Sequence, residues 1–183
     1  MIPARFRACF GGFVIAMGVM NGGCRPSSQD ANASGAAVET PTQILKGFEM
    51  NDVKNNIKTM TLQAPEARIY DTLQVADVDQ PVLVFFKAGR MSSRLTAPLG
   101  RVHTDTHDVE TWGGVTVVSA DSSTLTTDRL RYDPKKEKIF SNDPVRLEKT
   151  DSITEGIGIE TDPELHTVKI GRQKVRFKKR MTS

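Results

Sequence analysis

The sequence predicts an all-β protein, an open-ended stack of short strands behind an N-terminal export or anchor segment. Three observations predict it: an internal repeat of about thirty residues, a period-two alternation inside each copy, and turn residues between the runs. Val115 and Val117 are followed thirty residues later by Val145 and Leu147, and thirty later again by Val175 and Phe177. Leu95-Thr96-Ala97-Pro98 stands thirty before Leu125-Thr126-Thr127-Asp128 and thirty-three after Leu62-Gln63-Ala64-Pro65. Several coincidences in register argue for stacked repeats, each burying its apolar face against its neighbours.

The elements follow in chain order. Residues 1–23 have the grammar of an export signal. Arg5 and Arg7 precede an apolar run from Phe10 to Met20, and Asn21-Gly22-Gly23 leads into Cys24. Eleven residues span about 17 Å as a helix, short of a hydrocarbon core of about 30 Å. The small residues before Cys24 resemble a bacterial lipobox, so Cys24 is the expected lipidation site and the new N-terminus. The other cysteine, Cys9, lies inside the apolar run, which leaves no internal disulfide to form. Residues 24–43 are rich in Ser, Ala and Asn without periodicity and read as a flexible tether.

The body is expected over residues 44–177. Alternation pairs Val115 with Val117, Leu130 with Tyr132, Val145 with Leu147 and Ile157 with Ile159. Gly113-Gly114, Asp133-Pro134, Asn142-Asp143-Pro144 and Asp162-Pro163 read as turns between strands. With period two, Val115, Val117, Leu125, Leu130, Tyr132, Ile139, Val145, Leu147, Ile157 and Ile159 are expected to line the interior, with Arg131, Arg146 and Glu160 facing out. An interior of aliphatic side chains with few aromatics has two readings of equal standing, a filled core or a trough that accepts acyl chains. The last alternating run, Lys174, Val175, Arg176 and Phe177, is the expected edge strand where a partner adds its own strand. Residues 178–183 form a basic tail. Six of the 25 basic residues fall in the last dozen positions with no acid among them, which leaves the rest mildly acidic. That pattern suits an anionic headgroup and does not suggest nucleic acid.

Other signals carry no chemistry. His103, Asp105 and His107 would share one face of a strand, but no fourth metal ligand accompanies them, and they read as a polar row. Serines 119, 122 and 123 lack a nucleophile elbow. Gly156-Ile157-Gly158 lacks the third glycine of a dinucleotide fingerprint, and no phosphate-binding Gly-Lys-Ser/Thr motif occurs. No cofactor, no metal and no catalytic activity are expected.

Leu125-Thr126-Thr127-Asp128-Arg129-Leu130-Arg131-Tyr132-Asp133, Lys138-Ile139-Phe140-Ser141, Pro144-Val145-Arg146-Leu147 and Gly156-Ile157-Gly158-Ile159-Glu160 resemble the LptC family. The resemblance covers residues 44–177, and its Leu-x-x-Asp…Tyr-Asp pattern is shared with the sibling LptA. It implies a twisted β-jellyroll whose interior shelters the acyl chains of lipopolysaccharide. It also implies a periplasmic carrier anchored to the inner membrane. Such a carrier receives lipid from the LptB/LptF/LptG ABC transporter and passes it to LptA through edge-to-edge strand contact. The family usually keeps an uncleaved N-terminal helix, from which Gly22-Gly23-Cys24 departs. The residues also leave open an envelope scaffold with a dry core, and an LptA-like soluble bridge.

Overall fold

The computed structural model describes residues 39–177, so the expected signal region, Cys24, most of the tether and the basic tail lie outside the described residues. Twelve strands follow in chain order: β1 (Gln43–Lys54), β2 (Ile57–Tyr70), β3 (Val75–Asp79), β4 (Val82–Lys87), β5 (Arg90–Thr96) and β6 (Leu99–His103). Then come β7 (Val109–Ser119), β8 (Thr124–Asp133), β9 (Lys138–Glu148), β10 (Ser152–Thr161), β11 (Val168–Ile170) and β12 (Lys174–Phe177). One 3₁₀ turn, Asp71–Leu73, is the only helical element among the described residues.

All pairings are antiparallel. The long strands change neighbours midway. β2 pairs β4 through its first residues and β3 through its last, and β7 pairs β6 first and β5 later. The sheet is thereby folded on itself into two halves. One half holds β3, β6, β11 and Tyr132, the other β4, β5, β12 and Phe85. The Phe85 and Tyr132 rings meet edge-on with centroids 4.8 Å apart, so the two halves face each other across one core.

The corners explain the repeat. Chain passes from one half to the other at Gln80-Pro81, Ala97-Pro98 and Gly171, where strands break. It passes without a break at Gly113-Gly114 in β7 and at Gly158 in β10, whose positive φ values of 88°, 98° and 78° suit glycine. Gly113-Gly114 and Asn142-Asp143-Pro144 are therefore not turns between strands, as the sequence suggested. They are bulged corners inside β7 and β9, where the pairing register shifts. The Leu-x-Ala-Pro copies mark an inward leucine followed by a corner.

Candidate functional site

Register lines the inward side chains into two rows. In the Phe85 half, Met50, Leu62, Leu83, Leu95, Val117, Leu125, Leu147 and Thr154 are successive cross-strand partners. In the Tyr132 half, the row runs Ile69, Ala76, Val102, Val109, Tyr132, Ile139, Thr161 and Val168. The thirty-residue spacing is thus one strand down and one back, so that Val117 and Leu147 rejoin the same row two strands apart. An apolar seam runs the length of the stack.

Of the ten residues expected inside, Val115, Val117, Leu125, Leu130, Tyr132, Ile139, Val145, Leu147 and Ile159 are buried. Burial pushes the Tyr132 phenol well above its ordinary pKa, and it stays neutral. Ile157 corrects the expectation: it is 50% exposed. Gly158, in the left-handed region, carries the register shift between Ile157 and Ile159, and that bulge reverses the parity on which the inward assignment rested. Arg131 and Arg146 are exposed and Glu160 is half-buried.

Opposite the corners, hairpin tips of the two halves meet along a mouth. Asp52 and Lys54 of the Phe85 half pair with His107 (3.5 Å) and Glu137 of the Tyr132 half. Lys87 pairs with Glu164 at 3.0 Å, and the Lys149 ammonium donates to the Leu165 carbonyl at 3.3 Å. Solvent-facing pairs of this kind are worth about 0–1 kcal/mol each, so they align the mouth more than they weld it. Beneath them, Leu165 enters the core from the loop between β10 and β11, fully buried although its φ is +60°. Asp162 holds that loop. Its carboxylate accepts the backbone N–H groups of His166 (2.8 Å) and Thr167 (2.9 Å). Burial opposes its charge, yet those two donors prevail and keep its pKa below the usual aspartate value. The sequence read this segment as turn chemistry; a lone leucine in a polar turn was the available signal for more.

The open ends differ. Among the described residues β1 pairs only with β2, leaving a twelve-residue edge. At the other end β11 and β12 each pair, among the described residues, only with β10, and Lys174, Val175, Arg176 and Phe177 are all exposed, Phe177 at 81%. On the outer side of the Tyr132 half, register builds a row of mostly alternating charge: Arg68, Asp77, Arg101, Glu110, Arg131, Phe140, Glu160 and Lys169. Arg101 grips Asp77 at 2.6 Å and Arg68 grips Asp79 at 2.8 Å, so the face compensates itself. Above it lies a groove of about 900 Å³ between Trp112, Arg129, Arg131 and Phe140, with Glu110, Asp128 and Asp133 among its walls.

The remaining sequence signals become local structure. His103 ends β6 and the chain turns at Thr104, so His103, Asp105 and His107 do not share a strand face. Among the described residues no three His, Cys, Asp or Glu side chains are disposed to hold a metal. Asp121 accepts hydrogen bonds from the Ser119 hydroxyl and, at 3.0 Å, the Ser123 amide, which draw its pKa down to about 2. That is a turn, not a nucleophile and its base.

Two facing half-sheets with open ends, bent strands and an aliphatic seam define an LptA-like β-jellyroll. The structure is similar to the crystal structure of LptH, the LptA homologous periplasmic component of the lipopolysaccharide transport device from Pseudomonas aeruginosa. The TM-score is 0.52 at 16% identity, covering 66% of this chain and 94% of that one. No curated protein matches the sequence. The family model for lipopolysaccharide-assembly, LptC-related proteins matches residues 13–176, and the chain belongs to that family. The match begins inside the apolar run Phe10 to Met20.

Proposed function

We propose that the protein is a periplasmic, membrane-anchored carrier that shelters the acyl chains of lipopolysaccharide between its two half-sheets. In this reading it takes lipid from an LptB/LptF/LptG ABC transporter and passes it to an LptA-like bridge through strand pairing at an open end. The observation that carries the reading is the pair of largely apolar rows, running between edges that are unpaired among the described residues, in a chain of the LptC-related family. Each buried methylene of a lipid chain contributes about 0.8 kcal/mol, so a long interior is a strong acceptor. The chain has no nucleotide-binding motif, and the energy for extraction comes from the transporter.

Photo-crosslinking amino acids test the interior. Placed at Val117, Leu125 or Leu147 in Gram-negative envelopes, they trap lipopolysaccharide; at Arg131, Arg146 or Ile157 they do not. Equal trapping at both sets, or none in a folded protein, leaves a dry scaffold instead. The anchor is Cys24. Metabolic labelling with a fatty-acid analogue tags the wild type and not Cys24→Ala. Equal labelling of the two would place the acyl group elsewhere and overturn Cys24, and no label in either would assign anchoring to an uncleaved apolar segment.

A further inference from the structure

β5 begins with a bulge. Ser93 pairs with Phe85 and Met91 with Phe86, so Ser92 is the extra residue, and both serine side chains are buried. Ser93 is 0% and Ser92 8% exposed, and neither hydroxyl has a hydrogen-bond partner among the described residues. Buried polar atoms without partners are rare, because each forfeits its bond to water and gains nothing in return. The neighbouring hydroxyl, Ser119, directs its one proton at Asp121 and the Ser123 carbonyl and donates to neither Ser92 nor Ser93. The pair sits three and four residues past Gly89 at the β4–β5 hairpin tip, close under the mouth.

The loop carrying Leu165 spans this place. It is pinned at Lys87, on the β4–β5 hairpin, and at Lys149, just past β9. In the Phe85 half, β5, β7 and β8 lie between those two points. A leucine in the left-handed region, a conformation costly for a branched side chain, therefore enters the core from a loop pinned on either side of the strand that carries the two spare hydroxyls. Apolar filling and idle donors together describe a site whose proper occupant has a hydrocarbon chain ending in a hydrogen-bond acceptor.

We propose that Ser92 and Ser93 bind the linkage group of a sugar-bound fatty-acyl chain, donating to its amide or ester carbonyl, and that Leu165 occupies the chain's place until lipid displaces it. This rests on the carrier reading above and adds to it a chemical preference: acyl linkages over plain alkyl chains. The rows alone would take either.

Two matched probes separate these possibilities, N-tetradecanoylglucosamine and tetradecyl glucoside, each with a photoreactive diazirine at the chain end. They are added to the full-length protein in lipid nanodiscs, and crosslinks within residues 39–177 are mapped by mass spectrometry. In the wild type the amide probe is expected to label about five-fold more than the alkyl probe, the worth of one net hydrogen bond. In S92A/S93A the two label equally, the alkyl yield is unchanged, and the thermal midpoint is equal or higher because idle hydroxyls have been removed. A preference that persists in S92A/S93A, or is absent from the wild type, overturns the serine site and leaves the carrier intact. Failure of both probes to label the interior, in the wild type and in Leu165→Gly alike, overturns the carrier reading itself.

Discussion

Leu125→Asp is expected to abolish cooperative folding, seen as loss of the β-sheet circular dichroism signal and of any sharp thermal transition. Leu125 is fully buried in β8, flanked by Val117 and Leu147 within the apolar row of the Phe85 half. A carboxylate there meets neither a cation nor a donor in its row neighbours. Burying it costs several kcal/mol on top of the lost leucine packing, against a total stability of about 5–15 kcal/mol. Ile157→Asp is the matched control. Ile157 is exposed and borders no core row, so the same change there is expected within about 0.5 kcal/mol of wild type. A folded L125D protein would contradict the inward register of β8; an unfolded I157D protein would contradict the bulge at Gly158.

Gly156→Val is expected to detach the C-terminal edge while the body stays folded. A Cβ at Gly156 would lie 2.3 Å from Ile170 Cγ2 and 2.7 Å from the Gly171 carbonyl oxygen. The link between β11 and β12 crosses β10 there, held by the Ile157 amide donating to that carbonyl at 2.9 Å. Backbone cannot yield by the ångström required, so the last two strands must move. Overpacking of this kind costs about 1–3 kcal/mol, or roughly 2–10 °C in Tm for a chain of this size. Hydrogen exchange should show amides of 168–177 unprotected and those of β8 unchanged, together with weaker association with an LptA-like partner. Gly47→Ala offers the contrast, since its Cβ meets open space and only the left-handed backbone, about 1–2 kcal/mol, opposes it. Association undiminished in a G156V protein with a freed edge would move the partner contact to β1.

What the sequence made legible was periodic. Alternation identified the inward side chains wherever a strand ran straight, and the thirty-residue repeat marked rejoining of the same row. It failed at Ile157 because one left-handed glycine inverts parity, and parity counting has no term for an inserted residue. It misjudged Gly113-Gly114 and Asn142-Asp143-Pro144 because a bend within a strand and a turn between strands use the same residues. The alternating charges of Arg68, Asp77, Arg101 and Glu110 were invisible for another reason: they are far apart in the chain, and only pairing register brings them side by side. Ser92, Ser93 and Leu165 were missed because their meaning lies in what they lack or strain, a partner or a comfortable φ, which composition does not record.

The two half-sheets are parts of one ladder system: β2, β7, β8, β9 and β10 each run through both halves, and the β1–β2 ladder turns the corner with them. The molecule is folded like a book whose pages and spine are a single sheet of paper. Its fore-edge is of another kind, closed by side-chain contacts across the gap and a few ion pairs between hairpin tips. On the carrier reading proposed above, room for lipid is therefore gained at the fore-edge, where parting the tips unpairs no strand, and not at the spine, where it would.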